Sequence, residues 1–218
     1  MNFINLIDGP SALIVFGGTA LATVLRAGLG DCRVTLTKLR QLGAKPFDPD
    51  RARSELAAQI QEIQKDGLLR ANPRHFGDSE FDEATDALIT RRSVPALLAA
   101  HEEHRARRVK ESDRAVRTLA QAAELSPVFG LAGTLVSLSQ LPAAGVAQGS
   151  FTAAISMAVV TTLYGLLGAN LILAPLARII ERKANAEEAD RQTVIDWIAA
   201  QVEPVTQPRA FRPAVAAR

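Results

Sequence analysis

The sequence contains a single cysteine, Cys32, with one tryptophan and one tyrosine among its 218 residues. A lone cysteine excludes an internal disulfide and fits a thiol on the reducing side of a membrane. The formal net charge is only +2, so the composition gives no indication that the protein binds a polyanion. Basic residues are not interleaved with aromatic residues, so we expect no nucleic acid among the partners.

Charge is missing altogether from residues 125–177, which are 53 consecutive residues without Asp, Glu, Lys, Arg or His. A bilayer core about 30 Å thick takes ~20 apolar residues for each helical crossing. The stretch is therefore too long for one crossing and suits two. Turn-forming residues lie near its middle: Pro142, Gly145, Gln148, Gly149 and Ser150. The sequence predicts a transmembrane hairpin with helices at about 126–141 and 151–176.

A second apolar segment, residues 9–25, lies between Asp8 and Arg26. A signal peptide would have a basic region before the apolar one, whereas this segment follows an acidic residue. A buried soluble helix is the other alternative, but the hairpin downstream favours a membrane span. Lys and Arg are absent before this segment and from residues 142–150, and they flank the opposite ends of all three spans. This asymmetry predicts a periplasmic N-terminus and a cytoplasmic C-terminus.

The predicted fold class is an all-α integral membrane protein with about three transmembrane helices and long helices extending from the membrane. The predicted domains are an N-terminal transmembrane helix (1–25), a cytoplasmic helical domain (26–124), the transmembrane hairpin (125–177), a cytoplasmic helix (178–202) and a disordered tail (203–218). The tail is predicted from its prolines and arginines.

Helical periodicity is clear in the cytoplasmic segments. Leu56, Ile60 and Ile63 fall on one face of a helix that Asp48 and Asp50 can cap. Ser79 and Asp82 resemble a capping box that opens a short helix through residue 88. A longer helix is predicted over residues 93–124. After the hairpin, a further helix has an apolar side formed by Val194, Ile195 and Ile198.

Hydroxyl groups and small residues share faces within the hairpin. Thr134 lies near Gly130 and Gly133 on the first helix, and Thr161 and Thr162 lie on the second. Small residues let helix backbones approach closely, so simple packing is one interpretation and an ion pathway is the other. The hairpin contains no ionisable residue, although ion relays in membranes normally need one. If ions pass here, a second protein must supply a carboxylate.

Two prolines lie near the cytoplasmic ends of the hairpin helices. Pro127 and Pro175 each remove a backbone donor and can act as hinges, although proline near the end of a crossing is also commonplace.

His101 and His104 share a helical face, which suggests either a metal site or a solvated, charged helix face. No cysteine or third ligand accompanies them, so we expect no metal. The sequence contains no Ser/His/Asp, Cys/His or phosphate-loop pattern, and we expect no enzyme and no catalytic residue.

Two strings in the hairpin carry a resemblance to a known family. SPVFGLAGTLVSL at residues 126–138 and MAVVTTLYGLLGANLILAPLA at residues 157–177 resemble the paired inner helices of the MotA/TolQ/ExbB superfamily, and within it the flagellar motor stator subunits of the MotA type. The segment PSALIVFGGTALATVL is similar to the family helix that precedes the cytoplasmic domain. Weaker similarity covers residues 65–72 and the helix around residues 195–197.

The resemblance implies a bacterial inner-membrane pentamer around two copies of a single-span, MotB-like partner. That partner would supply the membrane Asp, and flow of H⁺ or Na⁺ would rotate the pentamer without another cofactor. Thr134, Thr161 and Thr162 match ion-pathway positions of the family, and Pro127 and Pro175 match its two functional prolines.

The sequence departs from the flagellar pattern in two respects. The usual subunit has four spans, whereas this chain is expected to begin at the second, either as a three-span variant or because its natural start lies upstream. Lys65 matches a rotor-contacting position, but Gln64 replaces a neighbouring basic residue and Asn72 an acidic one. Loss of these charges would weaken steering toward a charged flagellar rotor.

Three functions remain open from the sequence. The first is a flagellar stator subunit, the second an energiser of TolQ/ExbB type for an envelope or uptake system, and the third a non-conducting scaffold. The ion is H⁺ or Na⁺; the three hydroxyls favour Na⁺, because sodium needs several oxygen ligands.

Overall fold

The structure, a computed structural model, describes residues 8–66, 77–140 and 148–206. Every secondary-structure element in these ranges is helical. Helix α1 comprises Gly9–Ala12, the π-helical turn Leu13–Gly17, and Gly18–Gln41. Helix α2 is Pro49–Asp66, α3 is Ser79–Arg91 and α4 is Val94–Ser139. Helix α5 comprises Gln148–Leu167, the π-helical stretch Gly168–Leu173, and Ala174–Thr206.

Three of these helices are long and apolar enough to cross a membrane: α1, α4 and α5. The predicted all-α class with three membrane-spanning helices is therefore confirmed. The cytoplasmic helix predicted over residues 93–124 and the first hairpin helix are one continuous helix, α4. The second hairpin helix likewise continues beyond residue 177 as part of α5. The predicted hairpin turn lies mostly outside the described residues.

Helix α1 begins at a cap made by Asp8. The Asp8 carboxylate accepts hydrogen bonds from the Ser11 N–H at 3.1 Å and from the Ser11 hydroxyl. Pro10 lies in the first turn, where a missing N–H costs nothing. Further along, Gly28 has φ +83° and interrupts the helical conformation directly after the predicted span. A Cβ at Gly28 would meet nothing within 4 Å, so the backbone conformation, and not crowding, requires glycine there.

Replacing the Asp8 cap with alanine is expected to lower stability by about 1 kcal/mol, the usual cost of losing an N-cap acceptor. Asp8→Asn keeps an acceptor oxygen at the same position and should cost much less. Thermal unfolding of both variants in detergent measures the difference. Equal melting temperatures for Asp8→Ala and the parent would contradict the capping role.

The chain forms two compact units. The first, the membrane unit, consists of residues 8–44, 110–140 and 148–184; the second, the polar unit, consists of residues 45–66, 77–109 and 185–206. The predicted cytoplasmic segment 26–124 contributes residues to both. In the membrane unit, the Lys183 ammonium donates to the carbonyls of Gln41, Leu42 and Ala44 at 2.8–3.2 Å and so caps the C-terminus of α1.

The polar unit is built around one apolar core. Leu56, Ile60 and Ile63 of α2 are buried in it together with Val194, Ile195 and Ile198 of α5, as their periodicity predicted. The cap of α3 is Asp78, whose carboxylate accepts the N–H groups of Glu80 and Phe81 at 3.1 and 3.4 Å. The prediction of a Ser79–Asp82 capping box was therefore wrong by one residue. Helix α3 ends at Arg91, followed by Arg92 with φ +52°.

A largely buried ion-pair network also holds the polar unit together. The Arg108 guanidinium binds both carboxylate oxygens of Glu188, at 2.6 and 2.8 Å, and also pairs with Glu80. The Arg191 guanidinium pairs with Asp78 at 3.0 Å and lies 4.6 Å above the centroid of the Phe47 ring. The bidentate pair between Arg108 and Glu188 is stronger than a single contact and fixes both side chains in place.

Candidate functional site

The two hairpin helices approach each other closely at three glycines. A Cβ added at Gly165 would lie 2.7 Å from the Ser126 carbonyl oxygen and 3.1 Å from the Cα of Gly130. A Cβ at Gly130 would lie 3.0 Å from the Thr161 carbonyl oxygen, and one at Gly133 only 2.7 Å from the Thr161 side chain. At Gly165 and Gly133 a side chain would force the neighbouring atoms to shift, and at Gly130 the fit is tight, so the predicted small-residue face is the contact between the two helices.

A side-chain hydrogen bond joins the helices at the same contact. The Ser126 hydroxyl, which is fully buried, donates to the Gly165 carbonyl at 3.0 Å. In a membrane no water is available to bond this hydroxyl, so the bond between the helices satisfies it. The net contribution of such a bond to stability is modest. Ser126 was not among the predicted site residues. The residues around Ser126, including Pro127, give no signal for this contact, because it depends on how the two helices pair.

The three predicted pathway threonines differ in accessibility. Thr161 is fully buried and its hydroxyl donates to the Ala158 carbonyl at 2.9 Å. Thr162 is half-buried and donates to the same carbonyl at 3.1 Å, and Thr134 is half-buried and donates to Leu131 at 2.6 Å. Each hydroxyl uses its proton within its own helix and keeps lone pairs that can accept a proton or a cation. Thr161 is closed off by Gly133, whereas Thr134 and Thr162 remain partly accessible.

The two predicted hinge prolines lie in different helical surroundings. Pro127 lies inside the continuous helix α4 and its Cα would be 3.1 Å from a Cβ at Gly165. Pro175 is the second residue after the π-helical stretch Gly168–Leu173 of α5. Proline removes the donor to the carbonyl four residues earlier, and a π-helical stretch is one way in which a helix adapts locally. The hinge role of both residues stays a prediction.

An ionisable residue outside the hairpin lies beside its second helix. The Asp8 N–H donates to the Tyr164 hydroxyl at 3.2 Å, and the ring of Phe16, two turns further along α1, stacks on Tyr164 with centroids 6.0 Å apart. Tyr164 lies in the middle of the predicted crossing 151–176. In the sequence, Asp8 marks only the end of a span, because no sequence signal pairs it with Tyr164.

Comparison with known proteins identifies this arrangement. The family model of the MotA/TolQ/ExbB proton channel family matches residues 72–193, more than half of the chain. The chain belongs to the MotA/TolQ/ExbB proton channel family. Motility protein A of Cereibacter sphaeroides is 26% identical over 197 residues, which cover 88% of this chain and 76% of that protein. Chemotaxis protein PomA of Vibrio alginolyticus is 21% identical, covering 89% and 77%.

The fold of this MotA/TolQ/ExbB chain is also that of a solved stator subunit. The structure of the flagellar MotAB stator complex from Bacillus subtilis superposes with a TM-score of 0.82 at 20% sequence identity. The match covers 94% of this chain and 82% of that one. At this identity the likeness shows the fold.

Lys65, the predicted rotor contact of this MotA/TolQ/ExbB chain, is exposed near the end of α2. Its neighbour Gln64 is also exposed, and its side-chain amide donates to the carbonyl and side-chain oxygens of Gln201 at 3.1 and 2.8 Å. Asn72, the third predicted position, lies outside the described residues. The rotor contact at Lys65 stays a prediction.

His101 and His104 are both buried in the polar unit, so the solvated helix face suggested for them was wrong. His104 Nε2 lies 2.8 Å from a Glu83 carboxylate oxygen, and its Nδ1 lies 3.0 Å from the Arg107 guanidinium. Across residues 8–66, 77–140 and 148–206, no group of three His, Cys, Asp or Glu gathers in a metal-binding arrangement. His104 is thus occupied by protein contacts.

Proposed function

We propose that this chain is the ion-conducting stator subunit of a bacterial inner-membrane motor, coupling the flow of H⁺ or Na⁺ to rotation. One observation carries the proposal. Partly accessible hydroxyls, Thr134 and Thr162, accompany a tightly packed hairpin that contains no Asp, Glu, Lys, Arg or His. Its membership of a family described as proton channels supports the same conclusion.

A partner follows from the lack of a carboxylate within the hairpin, because the carboxylate of Asp8, which lies beside it, is engaged with Ser11. Ion relays in membranes normally use an ionisable side chain, and the hairpin has none. We propose that a single-span, MotB-like protein supplies a membrane Asp within a pentamer of this chain. The likeness to a MotAB stator complex supports such a partner. The distribution of Lys and Arg supports a periplasmic N-terminus and a cytoplasmic C-terminus.

Replacing Thr162 with valine tests the pathway. The substitution keeps the shape but removes the hydroxyl oxygen, so ion flux through the complex with its partner should fall by about tenfold, equivalent to ~1.4 kcal/mol in the barrier. Thr193→Val is the matched control, because Thr193 also donates to the carbonyl four residues earlier but is exposed in the polar unit. Flux is measured in vesicles that contain both proteins, with the control expected to retain parental flux.

Three results would contradict the proposal. Undiminished flux and motor output in Thr162→Val would remove the Thr162 hydroxyl from the pathway, and absence of flux through the parental complex would favour a non-conducting scaffold. Failure to co-purify with any single-span protein that carries a membrane Asp would remove the proposed partner. Flux measured with and without sodium distinguishes Na⁺ from H⁺, and the two partly accessible hydroxyls, Thr134 and Thr162, favour Na⁺.

The driven system is the second part of the proposal. Gln64 is uncharged and hydrogen-bonded to Gln201. We therefore expect weaker electrostatic steering toward a rotor than a basic residue at this position would provide. An energiser of TolQ/ExbB type is therefore the alternative to a flagellar stator. A deletion strain that does not swim supports the flagellar role. A strain that swims normally but has envelope or uptake defects supports the alternative.

A further inference from the structure

Beyond Gly28, helix α1 carries an exposed stripe of alternating leucine and arginine. Its four residues recur at intervals of three and four positions and therefore share one face of the helix: Leu29, Arg33, Leu36 and Arg40. The two leucines are 68% and 50% exposed, and both arginines are exposed. We call this face the Leu-Arg stripe.

The opposite face of the same segment, residues 29–41, is fixed to α4 by two ion pairs. Arg114 Nε donates to the Asp31 carboxylate at 2.8 Å. The Lys38 ammonium lies 3.4 Å from a Glu111 carboxylate oxygen. Because these contacts hold one face of the helix against the membrane unit, the Leu-Arg stripe points away from it.

The segment that carries the stripe lies beside the end of the predicted crossing 151–176. Leu39, on its fixed face, packs against a core cluster that includes Ala177 and Ile180, directly beyond the crossing. Leu39 also lines a groove together with Leu173, which lies inside the crossing. A helix that straddles the end of a crossing lies at the level of the lipid headgroups.

The two arginines of the stripe have no counter-charge in the part of the chain that the structure describes. Neither Arg33 nor Arg40 forms an ion pair or a side-chain hydrogen bond there. The one acidic residue between positions 29 and 40 is Asp31, which lies on the opposite face and is bound by Arg114. Guanidinium groups match the geometry of phosphate oxygens, so the stripe is complementary to phosphate.

This combination of side chains selects among the possible occupants of the stripe. An apolar helix packed over it would desolvate two unpaired guanidinium groups, which is costly. Two copies of the stripe in a symmetrical contact would place arginine against arginine. An anionic bilayer surface accommodates both kinds of side chain, because leucine inserts among the acyl chains while the long arginine side chain reaches the phosphates.

We propose that the Leu-Arg stripe binds anionic phospholipids, with the Arg33 and Arg40 guanidinium groups on headgroup phosphates and the two leucines in the adjoining acyl region. In the orientation proposed above, these lipids belong to the cytoplasmic leaflet. Each arginine near an anionic surface strengthens binding by about fivefold, so the two together should give a preference of about 25-fold over a zwitterionic lipid.

A tryptophan placed between the two arginines measures this preference. The purified full chain carrying Leu36→Trp is reconstituted into vesicles of phosphatidylcholine and phosphatidylglycerol, with bromine on the acyl chains of one lipid or the other. Bromine quenches only a tryptophan that it contacts, and the quenching of the parent chain, whose only tryptophan is Trp197, is subtracted. At low salt, the two quenching curves should show a preference for phosphatidylglycerol of about 25-fold. Leu29→Trp is a second, more exposed reporter.

Substitutions of the arginines identify the source of the preference. Arg33→Gln and Arg40→Gln should each lower it by about fivefold, and the double variant should nearly abolish it. Lysine at either position keeps the charge and should retain most of the preference. Arg91→Gln is the matched control, because it removes the same charge from an exposed arginine of the polar unit and should change nothing. Gel filtration checks that each variant is folded.

Three outcomes would overturn the proposal. Equal quenching by the two brominated lipids would show that the stripe does not select anionic headgroups. A preference that survives in the Arg33→Gln, Arg40→Gln double variant would assign it to other residues. If neither lipid quenches the reporters, aqueous iodide distinguishes a stripe in solvent from one that a second copy or a partner helix covers. The experiment does not involve ion flux, so its failure would leave ion conduction untouched.

Discussion

Replacing Gly165 with valine is expected to abolish the folded hairpin and, with it, the proposed motor function. Even the first carbon of a side chain at this position would lie 2.7 Å from the Ser126 carbonyl oxygen and 3.1 Å from the Cα of Pro127. These neighbours are backbone atoms of α4 and cannot rotate away, so the helices must separate. Overpacking of a close contact costs about 1–3 kcal/mol for small insertions, and valine adds three carbons.

Gly165→Ala is a milder variant that adds only the Cβ. Its matched control is Gly17→Ala. A Cβ at Gly17 would meet only the Leu13 side chain, at an ordinary 3.7 Å. Alanine there should be neutral or slightly stabilising, because glycine is the poorer helix former by ~1 kcal/mol. Melting temperature, gel filtration and swimming measure all three variants. A Gly165→Val chain that melts and assembles like the parent would refute the close packing described for the hairpin.

Arg108→Ala is expected to destabilise the polar unit by about 3–5 kcal/mol, the usual cost of removing one partner from a buried ion pair. The guanidinium pairs with two carboxylates, Glu80 and Glu188, whose side chains are 19% and 14% exposed. Without it, both carboxylates stay largely buried; Glu188 loses its counter-charge, and Glu80 keeps only the longer contacts to Arg107 and Arg191 at 3.4 and 3.5 Å. Arg108→Lys should recover only part of the loss, since an ammonium cannot bind Glu188 in bidentate fashion.

Arg105→Ala, one turn earlier on α4, is the control for this prediction. Arg105 is 45% exposed and its partner Glu102 is 62% exposed, so the pair should contribute only about 0–1 kcal/mol. Trp197 packs against the core of the polar unit, and its fluorescence follows unfolding of that unit in denaturant. If both variants lose the same stability, the buried network is no more important than a surface pair.

The membrane hairpin and the apolar faces were predictable because each depends on residues near in sequence. A charge-free run of 53 residues has few soluble alternatives, and the spacing of Leu56, Ile60 and Ile63 defines one helical face without knowledge of its partner. The small-residue face at Gly130 and Gly133 could be identified for the same reason.

The contacts that could not be predicted from the sequence join residues far apart in the chain. Arg108 meets Glu188 across 80 positions, and Asp8 meets Tyr164 across 156. The burial of His101 and His104 was likewise missed, because their charged neighbours in sequence suggested a solvated surface. The cap at Asp78 shows a subtler limit, since Asp78 and Ser79 are both good capping residues and local preference does not choose between adjacent ones.

The glycine contacts of the hairpin have a mechanical consequence. With the backbones of α4 and α5 touching at Gly130 and Gly165, the two helices cannot slide or rotate against each other without a clash. The hairpin therefore moves as one rigid element. If ions pass as proposed, the accompanying displacement is expected on the outer faces of the hairpin, where Leu131, Leu135 and Val159 are exposed.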